Sequence, residues 1–189
     1  RAQMVREADV VIQNFRPGVL EGLGLDAESL QALKPELIYC DMGAFGRGGP
    51  LSDLPGYDPL MQAYGGLMSV TGEPGQAPVR TGYSVVDCGT GMWAVIGVLS
   101  ALLQRAKEPR GARVEVSLFE TALSWMQVAS AMHLSSGEVP GRFGSGAATI
   151  VPYRAYETSD GYLVIAAGND GLFARLSKAL GHPEWAQDP

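Results

Sequence analysis

The chain has 189 residues, which is long enough to bury a core of its own and to hold one domain with part of a second. Hydrophobic residues make up 46% of it and charged residues 18%, a balance that excludes intrinsic disorder. The net charge is −6 and no run of Lys or Arg is present, so we expect neither nucleic acid nor a membrane as a partner.

The cysteines and the chain ends bear on the cellular compartment. Cys40 and Cys88 have no CxxC or Cys/His spacing, so we expect two free, buried thiols in a reducing, cytoplasmic protein. No apolar stretch approaches the roughly 18 to 20 residues of a membrane span, and no signal peptide is expected at the start. The chain begins at Arg1, in what resembles the tail of a helix, and stops at Pro189, so we expect both ends to belong to a longer protein.

Short apolar runs alternate with helical segments at the start of the chain. Ala8–Phe15 and Leu37–Phe45 are apolar and rich in β-branched residues, which predicts two buried strands. Between them, Asp26 is placed to cap a helix that Pro35 ends.

Two aspartates then stand before helices. Asp58 is predicted to be the N-cap of a helix over Pro59–Val70, with proline at the first helical position. Asp87 precedes a long segment ending near Arg105, whose apolar residues fill most of a helical circumference. A helix that is apolar on every side is predicted to be buried.

The remaining elements follow in the second half. A third strand is predicted over Arg113–Leu118 and another helix over Phe119–Leu134. After a glycine-rich connection, residues 153–168 have the pattern of a β-hairpin. Asn169 or Asp170 then caps a last helix.

This order of elements predicts an α/β fold with a mostly parallel sheet. We assign residues 1–135 to a large domain, 136–151 to a glycine-rich linker and 152–189 to the start of a smaller α+β domain.

Metal and hydrolase sites find little support. The two histidines, His133 and His182, have no second ligand at metal-binding spacing, so we expect no metal. A serine hydrolase is likewise unsupported, because the chain has no GxSxG motif.

A dinucleotide fingerprint is a second alternative. Gly89–Ala94 matches GxGxxA at the opening of a helix. Only Tyr83–Val86 precedes it as a possible strand, and Asp87 would repel a pyrophosphate at the helix N-terminus. Close helix packing explains the small residues better.

Asp87 has two interpretations that the residues alone leave open. An aspartate before a helix is a common N-cap. The same free N–H groups would favour the carboxylate form and hold it ionised. An ionised and positioned carboxylate can attack an acyl carbon and form a covalent intermediate.

Five segments in order along the chain carry a resemblance to a known family. They are Asn14–Asp26, Gly56–Gly72, Asp87–Arg105, Gly111–Leu123 and Pro152–Asp170. Together they resemble the family III CoA-transferases, the group of formyl-CoA transferase and carnitine CoA-transferase. The resemblance implies a Rossmann-like large domain and an interlocked homodimer.

The resemblance also implies a reaction. The family's nucleophilic aspartate matches Asp87, which would attack an acyl-CoA thioester and then carry CoA as an aspartyl thioester to an acceptor carboxylic acid. Coenzyme A and acyl-CoA would be substrates, with no permanently bound cofactor.

Further site residues are implied by position. Asn14 and Phe15 match the residues that bind the CoA nucleotide, and Arg16 could pair with a phosphate. Tyr57 and Asp58 match a tyrosine–acid pair near the active site, of which Tyr57 is implied to contact CoA. Each residue also has an interpretation without a ligand. Asn14 would then be a strand-end amide that caps a turn, and Phe15 a core residue. Arg16 would be a solvated side chain, and Asp58 the N-cap described above.

A glycine-rich loop and two departures complete the comparison with the family. Gly144, Ser145 and Gly146 match a loop that closes over the acyl intermediate, although the segment also suits an interdomain linker. Gly22 stands where many relatives carry an arginine that contacts CoA. The family's N-terminal strand–helix unit, with its active-site glutamine, is absent from this chain.

Two other functions remain open at this stage. An α-methylacyl-CoA racemase shares the fold and the aspartate, but it needs an acid/base pair at the α-carbon, and racemising relatives carry a histidine where Tyr57 stands. A binding-only or scaffold domain is the other alternative.

Overall fold

The structure is a computed structural model that describes residues 2–188. The strands are β1 (Val10–Gln13), β2 (Ile38–Gly43), β3 (Ala112–Ser117), β4 (Tyr153–Thr158) and β5 (Gly161–Ala166). The α-helices are α1 (Ala2–Glu7), α2 (Ala27–Leu33), α3 (Asp58–Tyr64), α4 (Leu67–Val70), α5 (Val85–Arg105), α6 (Leu118–Trp125), α7 (Gln127–Ser136) and α8 (Asp170–Ala179). Short 3-10 helices cover Glu21–Leu23 and Pro183–Gln187.

The chain divides into two compact units. The first contains residues 2–68 and Arg80–Glu138, and the second contains Ser69–Val79 and residues 139–188. The crossing after Glu138 falls inside the range proposed as a linker. The excursion of Ser69–Val79 into the second unit has no counterpart in the predicted boundaries, and the domain assignment stays a prediction.

A three-stranded parallel sheet, in the order β1-β2-β3, organises the first unit. The central strand β2 is the most buried, because it pairs on both sides and its first residues, Ile38, Tyr39 and Cys40, are fully covered. The predicted α/β class and parallel sheet are confirmed. Strand β1 is four residues shorter than predicted, β2 is three residues shorter, and β3 is shifted by one residue towards the N-terminus.

The core beside β2 is closed by α1 and α2. Its buried members are Val5, Leu20, Ala27, Leu30, Leu37 and Tyr39. Asp26 caps α2 as predicted, because its carboxylate accepts hydrogen bonds from the N–H of Ser29 at 2.9 Å and from its hydroxyl at 2.7 Å. Burial of this apolar face and the cap together hold a helix of only seven residues in place.

Two predicted long helices are each divided in two. The segment after Asp58 ends as α3 at Tyr64 and resumes as α4, with Gly65 and Gly66 between them. Gly66 has φ of +91°, which does not belong to a helix, and a Cβ on Gly65 would lie 2.5 Å from the Cβ of Ala122. The segment predicted as one helix over Phe119–Leu134 is likewise divided into α6 and α7.

Helix α5 corrects the prediction of a fully buried helix. One stripe packs towards the sheet and neighbouring helices, and its buried residues are Val86, Gly89, Thr90, Ala94 and Ala101. The opposite side is apolar but exposed, and its members are Met92, Trp93, Val95, Ile96, Leu99 and Leu103. Composition predicts that a helix is apolar on all sides, but the number of neighbouring elements decides how many sides are covered.

The same helix corrects a second expectation. Within residues 2–188, Val85–Arg105 is long and apolar enough to cross a membrane by length and composition alone. The run is interrupted by small residues (Gly, Ala, Ser and Thr), so the sequence analysis did not identify it as a continuous apolar stretch. Core helices of many proteins meet the same criterion, so the finding carries no assignment.

The two cysteines differ in exposure. Cys40 is buried on β2, as predicted, and both thiols are free. Cys88 is exposed on α5, so the prediction of two buried thiols is wrong. Position 88 falls on the uncovered side of a helix whose composition suggests burial on every side.

The second unit contains the predicted hairpin. Strands β4 and β5 pair antiparallel, with Tyr153 opposite Ala166 and Thr158 opposite Gly161. Asn169 is the residue that caps α8, because its side chain accepts a hydrogen bond from the N–H of Leu172 at 2.9 Å.

Candidate active site

A cleft of about 620 Å³ lies at the carboxyl edge of the parallel sheet in the first unit. In parallel α/β sheets this edge is where ligands bind, because the strand ends and the loops that follow them converge there. Five residues proposed from the sequence help to form its wall: Asn14, Phe15, Arg16, Tyr57 and Asp87. The fold therefore brings together side chains that are up to 73 positions apart in the chain, from Asn14 to Asp87.

The end of β1 presents an amide, an aromatic ring and a cation. Asn14, Phe15 and Arg16 are all exposed, and the Phe15 side chain is 59% exposed. The alternative of a core phenylalanine is therefore wrong for this structure. The neighbouring Gln13 is buried, and its side-chain carbonyl accepts a hydrogen bond from the Phe15 N–H at 2.7 Å. Gln13 therefore fixes the direction in which the chain leaves the strand.

A buried carboxylate at the end of β2 is a site feature that the sequence analysis missed. Asp41 accepts hydrogen bonds from Gln13 and Arg47, and the guanidinium of Arg113 lies 3.3 Å away. Arg47 also pairs with Glu21 at 3.1 Å. A lone carboxylate inside an otherwise apolar strand was the signal that could have revealed this cluster, because a buried charge requires partners.

The electrostatics of this cluster keep Arg47 charged. Burial acts to lower the pKa of its guanidinium, but the hydrogen bonds and charges of Asp41 and Glu21 outweigh that effect and raise the pKa. The pKa of Glu21 is lowered, chiefly by a hydrogen bond from its own backbone N–H, with Arg47 contributing. The cleft floor therefore holds a permanent ion-pair network beside the end of β1.

Asp87 lies in the first turn of α5, with an exposed side chain on the cleft wall. The N-cap position belongs to Ser84, so the interpretation of Asp87 as an N-cap, one of the two that the sequence left open, is wrong. The helix begins three residues earlier than predicted, at Val85, because Val85 and Val86 enter the helical conformation and pack into the core with Met61 and Ala122.

Asp58 corrects another predicted cap. Tyr57 is the N-cap of α3 and Asp58 is its first residue, only 1% exposed. Its carboxylate accepts hydrogen bonds from the backbone N–H of Val86 at 2.7 Å and of Asp87 at 3.1 Å. Asp58 therefore caps α5 instead of its own helix.

The pKa of Asp87 moves in the opposite direction to the one expected from the sequence. The pKa of its carboxyl is raised, first because the surrounding protein removes part of its hydration and second because the Asp58 carboxylate lies close. The N–H groups that were expected to favour the charged form of Asp87 include those of Val86 and Asp87, and these donate to Asp58 instead. Proton binding to Asp87 is thus easier than for an isolated aspartate.

The remaining predicted residues lie in two places. Tyr57 is 74% exposed on the cleft wall. Gly144, Ser145 and Gly146 belong to the second unit, where the Gly144 N–H donates to Gly72 O at 2.9 Å and the Ala155 N–H donates to Ser145 Oγ at 3.0 Å. Gly22 lies in the 3-10 helix, with open space around it.

The match to a dinucleotide fingerprint is explained by packing at one of its two glycines. A Cβ on Gly89 would lie 2.9 Å from the side chain of Thr121, whereas a Cβ on Gly91 would meet nothing within 4 Å. Tyr83 and Ser84 form no strand before the helix. Among residues 2–188, no cluster of three His, Cys, Asp or Glu side chains is arranged to hold a metal ion.

Comparisons with known proteins agree with one family. The model of CoA-transferase family III matches residues 2–189. A succinate–glutarate CoA-transferase of Agrobacterium fabrum is 40% identical over 186 residues, which is 98% of this chain and 46% of that protein. An acetyl-CoA:oxalate CoA-transferase of Acetobacter aceti is 39% identical over 188 residues, covering 99% of this chain and 48% of that protein.

A solved structure supports the same assignment. The crystal structure of a CAIB/BAIF family protein from Brucella suis aligns with a TM-score of 0.86 and 43% identity, over 99% of this chain and 50% of that one. The chain spans about half the length of the curated relatives it matches. With a family match over almost all of its residues, this chain belongs to CoA-transferase family III.

Proposed function

We propose that this chain carries the nucleophile and the nucleotide-binding wall of an enzyme that transfers coenzyme A from an acyl-CoA to a carboxylic acid. The observation that carries the proposal is that the Asp87 carboxylate and the strand-end residues Asn14, Phe15 and Arg16 line one cleft. One end of this arrangement suits an adenine and its phosphates, and the other places a carboxylate where a thioester can reach it.

The proposed reaction begins with Asp87 as an ionised carboxylate. One of its oxygens attacks the thioester carbonyl carbon, the C–S bond breaks, and CoA leaves as a thiolate. The products of this step are a mixed anhydride on Asp87 and free CoA thiolate. The thiolate then attacks the aspartyl carbonyl of the anhydride and releases the donor acid as its carboxylate, which leaves an aspartyl-CoA thioester.

The second half of the reaction repeats these steps in reverse. The acceptor carboxylate attacks the aspartyl-CoA thioester, CoA thiolate leaves, and the thiolate attacks the acceptor carbonyl of the new anhydride. The products are the acceptor's CoA thioester and free Asp87. Each step exchanges one activated carbonyl for another, so the main tasks of the protein are to position the groups and to stabilise oxyanions.

The substrates are proposed as a class. The relatives above are named for succinate and glutarate, and for acetyl-CoA and oxalate. Their names support an acyl-CoA as the donor and a carboxylic acid as the acceptor. We propose that Tyr57 contacts CoA together with Asn14, Phe15 and Arg16, and that Gly144, Ser145 and Gly146 belong to a loop that closes over the acyl intermediate. A cytoplasmic homodimer, with no membrane attachment, is part of the same proposal.

Covalent trapping tests the proposal. The intact protein is incubated with a panel of acyl-CoAs, treated with hydroxylamine and analysed by peptide mass spectrometry across Thr81–Arg105. We expect a hydroxamate at Asp87, which appears only with an acyl-CoA donor. The variant Asp87→Asn is expected to keep its fold, to form no hydroxamate and to lose turnover.

Three outcomes would contradict it. Near wild-type turnover in Asp87→Asn would exclude the nucleophile. Washout of deuterium from a 2-methylacyl-CoA in heavy water, without any acceptor acid and without an adduct, would indicate a racemase instead. The absence of both activities, together with retained CoA binding measured by calorimetry, would indicate a binding-only domain.

A further inference from the structure

The segment that leads into α5 is held by two side chains of α3. Asp58 and Gln62 lie four residues apart on the same face of α3, and both are buried, at 1% and 0% exposure. Their side chains are joined by a hydrogen bond of 2.5 Å from Gln62 Nε2 to Asp58 Oδ1. They therefore act as one unit that faces the start of α5.

The Asp58 end of this unit satisfies the helix start. The first N–H groups of an α-helix have no partner within the helix and need an acceptor. Ser84, at the N-cap of α5, offers no side-chain cap bond within residues 2–188. Asp58 Oδ2 takes this role from a distance of 28 residues in the chain, through the N–H groups of Val86 and Asp87.

The Gln62 end holds the chain just before the helix. Its Oε1 accepts hydrogen bonds from the N–H of Thr81 at 2.9 Å and from the Thr81 hydroxyl at 3.2 Å. Gln62 Nε2 also points to Tyr83 O at 3.5 Å. Because Nε2 donates to Asp58 and Oε1 accepts from Thr81, the amide of Gln62 has one orientation that satisfies every partner.

We propose that Asp58 and Gln62 form a cap, supplied by α3 to α5, that positions the backbone of Asp87 at the cleft wall and so sets the direction of attack. This inference rests on the proposed function, in which Asp87 is the nucleophile. Asp58 is thereby a positioning residue that does not touch the substrate, because it is buried behind the cleft and is not part of its wall.

The cap has an electrostatic consequence as well as a geometric one. A carboxylate whose oxygen binds the Asp87 N–H lies close to the Asp87 side chain, and its negative charge helps to raise the pKa of Asp87. The other charged groups on the cleft wall are Arg16, Glu21, Asp41, Arg47, Asp53 and Glu115. Among the described residues, Asp58 is the charged group that bears on this pKa.

The first test is Asp58→Asn in the intact protein, with turnover measured from acid to neutral pH. Asn keeps the shape and an acceptor oxygen but removes the charge. Activity requires ionised Asp87, so it is lost as pH falls through the pKa of Asp87; without the Asp58 charge that acid limb should move to lower pH. We also expect kcat at neutral pH to fall by about 10-fold to 100-fold, because small misplacements of a reacting group are costly.

A second variant separates position from charge. Gln62→Met removes the bonds to Thr81 and Asp58 but leaves the Asp58 carboxylate in place. We expect kcat to fall while the acid limb stays where it is in the wild type. The control is Asp26→Asn, which removes the charge from the cap of α2 away from the cleft and should leave both kcat and the acid limb unchanged.

Amide hydrogen exchange provides a readout that does not depend on activity. In Asp58→Ala the Val86 and Asp87 N–H groups lose their acceptor and should exchange faster, while amides in β2 keep their protection. Unchanged exchange, kcat and acid limb in the Asp58 variants would overturn the cap. Faster exchange in a protein whose Asp87→Asn variant stays active would instead overturn the proposed function and leave the cap standing as a structural feature.

Discussion

Gly89 of α5 packs directly against Trp125 of α6. A Cβ on Gly89 would lie 2.9 Å from Trp125 Cζ2 and 3.0 Å from Trp125 Nε1, closer than real contacts allow. The glycine therefore sets how closely α6 approaches α5, two residues after Asp87 in the same helix. Gly91, one half-turn further on, has open space around it.

This contrast predicts opposite effects of the same substitution. Gly89→Ala should lower the free energy of unfolding by about 1–3 kcal/mol, because the added methyl must displace the Thr121 and Trp125 side chains. Gly91→Ala should be neutral or should stabilise by up to about 1 kcal/mol, because alanine is the better helix former. Urea denaturation of both variants checks the prediction, and equal effects at the two positions would contradict it.

The buried Asp41 network predicts a second contrast. Asp41→Asn removes the charge that Arg47 and Arg113 contact, and we expect a loss of about 2 kcal/mol in the free energy of unfolding. The matched control is Glu108→Gln, since Glu108 pairs with Arg110 where both side chains are well exposed. Surface pairs contribute little, so this change should stay within about 0.5 kcal/mol. Equal losses in the two variants, measured by urea denaturation, would show that burial of the carboxylate has no effect.

The two thiols predict different reactivity. Burial, followed by the nearby Asp41 charge, raises the pKa of Cys40, so it has less thiolate at neutral pH as well as no access to reagent. Cys88 is exposed on α5. Titration of the native chain with a thiol reagent should label Cys88 promptly and Cys40 only on unfolding, and Cys88→Ser should remove the prompt fraction. Prompt labelling of Cys40 in native Cys88→Ser would contradict the fold around β2.

Local signals in the sequence were enough to predict many of the elements. Apolar runs predicted the three parallel strands, and the cap of α2 was predicted at Asp26. The cap of α8 was predicted at Asn169 or Asp170 and lies at Asn169, and the hairpin lies where alternation and turn residues predicted it. Each of these features depends on residues within a few positions of one another, so the order of residue types carries the information. The ordered motifs likewise predicted the family, which the match over residues 2–189 confirmed.

The interpretation of the site depended on contacts between distant parts of the chain. Asp58 has the local sequence of an N-cap for α3, yet its oxygen binds N–H groups of α5 that are 28 and 29 residues away. Asp41 similarly draws its partners from three separate segments of the chain. A sequence pattern can indicate that a carboxylate needs hydrogen-bond donors, but it does not identify the residues that provide them.

The sequence by itself therefore determined the element types, the family and the candidate nucleophile. Tertiary structure alone decided which side of α5 is covered, which helix Asp58 caps and in which direction the pKa of Asp87 moves. The physical reason is that helix and strand formation follow from short-range periodicity, whereas burial and electrostatic shifts depend on which groups the fold brings within a few ångströms of each other.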